Sequence, residues 1–261
     1  MKFQSIFMGQ KELKTVWKDL EEATYLQIGP WPKNCRDVLA REPRLGYTAL
    51  HYAAHLHESY YIKELVKAGA DVNAVGNDGM SPLLLLAKLP PPIALRGVDT
   101  LLKSKVNLFQ TNSQGWGLLH FLAQQDNVRM LAFFIEKGLD LYAKTKGGNT
   151  PLRFALIRKN EAAAQILLDK MGNTDKAKEE YQKALYDALF VLDIKSIALL
   201  MRQGASLKKI EIHGKSGMDW LQENPNLINY RIGFEKEWIE IEQYFLKEAL
   251  ALGAPKKTKR I

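Results

Sequence analysis

The chain contains one cysteine, Cys35, so no disulfide can form within it. This usage fits a reducing, intracellular compartment. A lone thiol acts as a nucleophile only when the fold places a base beside it, and its neighbours Trp31, Pro32, Lys33 and Asn34 supply none. A half-buried structural thiol is the simpler reading. Long apolar runs are also missing. Leu83–Ala87 is stopped by Leu89 and the three prolines at 90–92, far short of the roughly 20 residues that cross a bilayer. The opening residues MKFQSIFMGQKELK hold too short an apolar segment for a secretory signal, and no small-residue cleavage site follows.

The usual catalytic motifs are absent as well. Gly147-Gly148 lies near Lys144 and Lys146, but the spacing of a phosphate-binding loop and its Lys-Ser/Thr pair are missing. His51 and His55 are four residues apart, with His57 close by. They could share a helix face as metal ligands. No glutamate stands between them as in H-E-x-x-H, however, and a structural role is the expectation. The glutamates of EKEWIEIE at 235–242 fall mostly on the polar face of one helix, with no context for a catalytic carboxylate pair. Neither catalysis, a metal nor a cofactor is expected.

What is present is a period. GYTALHYAA, GMSPLLLLA, GWGLLHFLA, GNTPLRFAL and GKSGMDWLQ begin at Gly46, Gly79, Gly115, Gly148 and Gly214, spaced 33, 36, 33 and 66 residues apart. A fixed period of this length marks stacked repeats, which grow in one dimension and bury a shared core. In the first unit Gly46 supplies a turn, Thr48 a helix start, Ala49, Ala53 and Ala54 close approach, and Leu50 a buried anchor. Ile62, Leu65 and Val66 follow at helical spacing, and Gly69 ends that helix. The double gap predicts a hidden unit near 181. There Ala184, Leu185 and Ala188, then Ile197, Leu199 and Leu200, take the helix positions, and Tyr181 stands where the turn glycine is missing. A longer helix is expected to replace the turn. The three extra residues of the second unit are assigned to an exposed loop, LPPPIALRG at 89–97, between its two helices.

Gly46, Thr48, Leu50, His51, Ala53, Ala54, Gly69, Ala70, Asp71, Val72 and Asn73 resemble the ankyrin repeat, G-x-T-P-L-H-x-A-A with G-A-D-V-N after a second helix. Gly79, Ser81, Pro82 and Leu83 repeat the pattern, as do Gly115, Leu119 and His120, and Gly148, Thr150, Pro151 and Leu152. The resemblance implies an all-α ankyrin-repeat solenoid over 46–222 with five to six units, degenerate near 160–210. An N-terminal capping region (1–45) would carry Leu13, Val16, Trp17 and Leu20 on a helix. A C-terminal capping helix (223–252) would carry Trp238, Ile241, Phe245 and Leu246, and a basic tail (253–261) would follow. It also implies that His51 and His120 bond the backbone of a neighbouring repeat.

In that family partners dock on a concave face built from turn tips and first helices. Carried onto this sequence, the face comprises Tyr47, Met80, Trp116 and Asn149 after the turn glycines, and Asn77, Asp78, Ser113, Gln114 and Lys146 in the turns. His55, Lys88, Gln124, Gln125 and Arg158 complete it along the helices. Tyr47, Met80 and Trp116 are expected to form an exposed row, as interface anchors do. The alternative for Trp116 is that it folds onto the next turn as core. The net charge of +8 favours an acidic partner. Lys144, Lys146, Arg153, Arg158 and Lys159 could receive one, or could simply be a solvated surface.

The reading is a non-catalytic protein–protein interaction module, monomeric when free. Its charged tail resembles bacterial ankyrin-repeat effectors, which would place it in a host cytosol or nucleus. The other readings are an enzyme or modifier using Cys35 and His51, and nucleic-acid binding through the tail at 255–261. Interleaved basic and aromatic residues along a groove, which nucleic acid favours, are not evident.

Overall fold

The computed structural model describes residues 38–39, 41–56, 59–223 and 234–251. The expected N-terminal helix, Cys35, His57 and the tail lie outside these residues, as do the side chains of Phe245 and Leu246. The described residues form twelve α-helices, one 3-10 turn and one short hairpin. None of these helices is long and apolar enough to cross a membrane. The chain divides into two compact units between Phe154 and Ala155, within the helix α7 (Pro151–Ile157).

The first unit is built from helix pairs: α1 (Ala49–His55) with α2 (Ser59–Lys67), α3 (Pro82–Ala87) with α4 (Pro91–Leu102), and α5 (Leu118–Gln124) with α6 (Val128–Glu136). First helices pack on first helices, α1 on α3 and α3 on α5, while α2 packs on α4. Every residue of α3 is buried, as a short helix held between two others requires. Ala49, Ala53 and Ala54 leave the room for close approach, and Leu50, Ile62 and Leu65 fill the interior. Each first helix begins three residues after a turn glycine. At Gly79 both backbone and space demand glycine: φ is +75°, and an added Cβ would sit 2.5 Å from the Ser113 nitrogen of the next turn.

The structure corrects the expected loop at 89–97. Pro91 opens α4, where a missing N–H costs nothing and the fixed φ suits the first turn. The three extra residues lengthen a helix: α4 has 12 residues where α2 and α6 have 9. Lys105, at φ 54°, then takes the left-handed position that Gly69 and Gly138 hold in the neighbouring repeats.

The second unit contains α8 (Glu161–Met171), α9 (Asp175–Phe190), α10 (Ile194–Arg202), a 3-10 turn at Leu207–Lys209, α11 (Gly217–Glu223) and α12 (Glu235–Ala251). The 16-residue α9 stands in place of a turn and short helix. Ala184, Leu185 and Ala188 are buried on it. The Tyr181 hydroxyl donates to the carbonyls of Gly172 (2.6 Å) and Leu168 (3.3 Å), which fixes the helix against the end of α8. On α10 Ile197 and Leu200 are buried and Leu199 is half-buried. α12 packs on α10 and buries Trp238 and Ile241. One feature lay outside the all-helical expectation. β1 (Glu211–Ile212) pairs antiparallel with β2 (Lys215–Ser216) around His213 and Gly214, both at positive φ, as a tight hairpin turn requires.

Candidate functional site

Successive turns of the first unit are joined edge to edge. The Asn77 N–H donates to the Leu45 carbonyl (2.6 Å), that of Ser113 to Asp78 (2.8 Å) and that of Lys146 to Gln114 (2.8 Å). Side chains shape each turn from within. Asp78 Oδ1 accepts the Met80 N–H, and Asn112 Oδ1 accepts those of Gln114 and Trp116. Asn73 Oδ1 accepts the Asn107 N–H (2.6 Å) and its Nδ2 donates to the Lys105 carbonyl (3.3 Å), tying one return loop to the next. The turns are therefore a continuous backbone edge whose side chains hold repeat-spaced positions.

Two buried histidines lock this edge to the helices. His51 Nδ1 accepts the Thr48 N–H (3.1 Å), so the proton sits on Nε2, which donates to the Met80 carbonyl of the next repeat (3.1 Å). Burial pushes His51 down to about 4, so the ring is neutral at pH 7. His120 repeats the arrangement: its Nδ1 accepts the Gly117 N–H, and its Nε2 meets the carbonyls of Ala143 and Asn149. Its pKa is lowered by the same burial. Both ring nitrogens of His51 are engaged and the ring is sealed from solvent.

Against this frame the expected exposed row is corrected. Tyr47 and Met80 are buried, at 7% and 5% exposure. The Tyr47 ring stacks on His51 at 4.8 Å, and its hydroxyl donates to Asp78 Oδ2 (2.8 Å). It fits there because Gly76 has no side chain: a Cβ at that position would overlap the tyrosine ring. Trp116 is half-buried, its ring against Phe154 (4.2 Å) and Phe121 (5.2 Å). It is both a packing residue and a surface.

Seven of the fourteen candidate residues nevertheless converge. Asp78, Met80, Lys88, Ser113, Gln114, Trp116 and Gln124, with Asn112 and Phe121, line one open depression of about 450 Å³. Its floor is apolar, from Met80, Trp116 and Phe121, and its rim is polar. Asn77, Lys146 and His55 are exposed, while Asn149 and Gln125 are half-buried; none of these five lines it. Arg158 belongs to the second unit. Sequence reasoning missed Asn112 and Phe121; the signal was the N-x-Q-x-W spacing of a side-chain-capped turn. The second unit has its own cleft of about 310 Å³, and two of the cations that line it are already matched. Lys195 pairs with Glu161 (2.8 Å), and Arg202 grips Glu240 through two bonds of 2.5 and 2.6 Å. Among the described residues no group of histidine, cysteine and carboxylate side chains could hold a metal ion.

Comparison with known proteins agrees with this geometry. A family model described as ankyrin repeat matches residues 45–77, and one described as ankyrin repeats (many copies) matches 119–168. The chain is 27% identical over 131 residues to human "SH3 and multiple ankyrin repeat domains protein 2", covering 50% of this chain and 7% of that protein. It is also 27% identical over 136 residues to the chicken "Nuclear factor NF-kappa-B p105 subunit", covering 52% of this chain and 14% of that one. The chain thus spans a small fraction of either relative's length. The matches support the ankyrin repeat family, and the helix-rich fold fits an all-α ankyrin solenoid.

Proposed function

We propose that this protein is a non-catalytic interaction module that binds a segment of a partner protein along the turns and first helices of its first unit. Ankyrin repeats generally mediate protein–protein interaction, which sets the class. The observation that carries the assignment is the open depression, where an apolar floor is ringed by polar side chains on a rigid, hydrogen-bonded edge. Interface anchors seat in surfaces of this kind. The repeat array runs over 46–222 in this reading, with α12 closing its C-terminal end through Trp238 and Ile241. The effector reading rests on the tail, outside the described residues, and the fold adds nothing to it.

The test is affinity capture from cell lysate with wild type beside Gln114→Arg/Gln124→Arg and Trp116→Ala, each shown to stay folded. A protein retained by wild type and lost from the variants supports docking at the depression. A protein retained equally by all three removes the depression as the site.

A further inference from the structure

The charges around the depression point to the chemistry of its occupant. Lys88 lies on its rim, and Lys146 is bonded through its backbone to Gln114, another rim residue. Arg44, at the other end of the edge, accepts at its carbonyl from the Asn77 side chain (3.0 Å). All three cations are exposed, and none forms an ion pair among the described residues. The one carboxylate in the lining, Asp78, is held inward by the Tyr47 hydroxyl on one oxygen and the Met80 N–H on the other. It shapes the turn and offsets one of these three charges, so the edge keeps a positive excess. The result is an apolar floor beside unmatched positive charge.

Building on the docking surface just described, we propose that its occupant is an acidic peptide segment. A large apolar side chain sits on Met80, Trp116 and Phe121, and flanking carboxylates face Lys88 and Lys146. An apolar floor alone would accept any hydrophobic segment; Lys88 on the rim and Lys146 beside it select among them by attracting one sign and repelling the other. Trp116 supplies a wall packed on Phe154 that loses little entropy on binding, and the backbone bond from Lys146 to Gln114 ties its turn to the rim. Nucleic acid offers the same charge, but base stacking needs open aromatic faces in succession. Trp116 here is packed against both Phe121 and Phe154, and Phe121 is buried.

The experiment is selection of short random displayed peptides on the immobilised full-length chain. Selected peptides are then titrated against wild type, Lys88→Glu/Lys146→Glu and Trp116→Ala. Each protein's helicity and melting temperature are checked. The expected result is enrichment of Asp and Glu around a Leu, Phe or Trp. Affinity should fall at least about tenfold in both variants, and the charge-reversed protein should recover binding to a peptide with its acids changed to lysine. Neutral or basic peptides lost only on Trp116→Ala would overturn the acidic occupant and leave the docking surface standing. Peptides bound equally by all three proteins would overturn both. Recovery of no peptide, or tighter binding of an oligouridylate than of any selected peptide, would also overturn the proposal.

Discussion

His51 joins three roles in one ring: it caps its helix at Thr48, stacks under Tyr47 and holds the Met80 carbonyl. Its pH behaviour follows from burial. The folded-state value of about 4 lies below the ordinary 6.5, so the unfolded chain binds the extra proton. Stability is fully present above pH 6.5 and is lost as pH falls toward 4, by up to about 1.4 kcal/mol per pH unit for this group. Urea denaturation at pH 7.5, 6 and 5 should show the midpoint falling, with a shallower fall in His51→Gln. Equal slopes in the two proteins would remove His51 as the cause. His51→Gln itself should cost about 1–3 kcal/mol at pH 7.5, because the flexible amide lacks the ring that bridges Thr48 to the Met80 carbonyl and stacks on Tyr47. Glycines give a second contrast. Gly79→Ala meets positive φ and a crowded neighbour, whereas Gly69→Ala meets positive φ in open space. The first should cost at least about 2 kcal/mol and the second about 1; equal costs would mean that contact between turns is not what glycine protects. The histidine role was legible from its place in the pattern. The depth of Tyr47 was not, because it depends on Gly76, 29 residues away and unremarkable until the turn above is in place.

At the scale of elements, period and helix order could be read directly, since each turn glycine precedes its helix by a constant three residues. The Pro-rich stretch misled because proline breaks a helix from within but opens one from its first turn. The degenerate 160–210 region was legible through its small and apolar residues. The role of Tyr181 as the anchor of α9 emerges only from its bonds to Gly172 and Leu168. Tyr181→Phe keeps the packing and removes both bonds, so it should lower stability by about 1–2 kcal/mol. No change in thermal or urea midpoint would mean that shape alone holds the helix. α12 offers a sharper separation. Ile241→Ala, at a fully buried position against α10, should cost about 2–4 kcal/mol, and Arg202→Ala, at a half-exposed ion pair, no more than about 1. The reverse order would contradict hydrophobic docking of this helix.

For the whole molecule, part of the depression proposed as the docking surface could be read from the sequence. Repeat arithmetic found the turns and first helices, and seven of its candidates meet at one depression. What periodicity could not supply was depth, since equivalent positions in successive repeats are covered to different extents by the turn that follows. Trp116 is the half-buried aromatic of the depression's floor, so Trp116→Ala should weaken a bound partner by about 2 kcal/mol or more with little loss of helicity. The most direct measurement is site-specific photo-crosslinking. A photoreactive side chain is placed at Gln114 or Gln124 of the rim, or at Lys103 or Glu136 after or within the second helices, and exposed to the captured partner. Crosslinks confined to the two rim positions are the expected result. Crosslinks from Lys103 or Glu136, with none from the rim, would contradict the assignment of the partner to the turns and first helices.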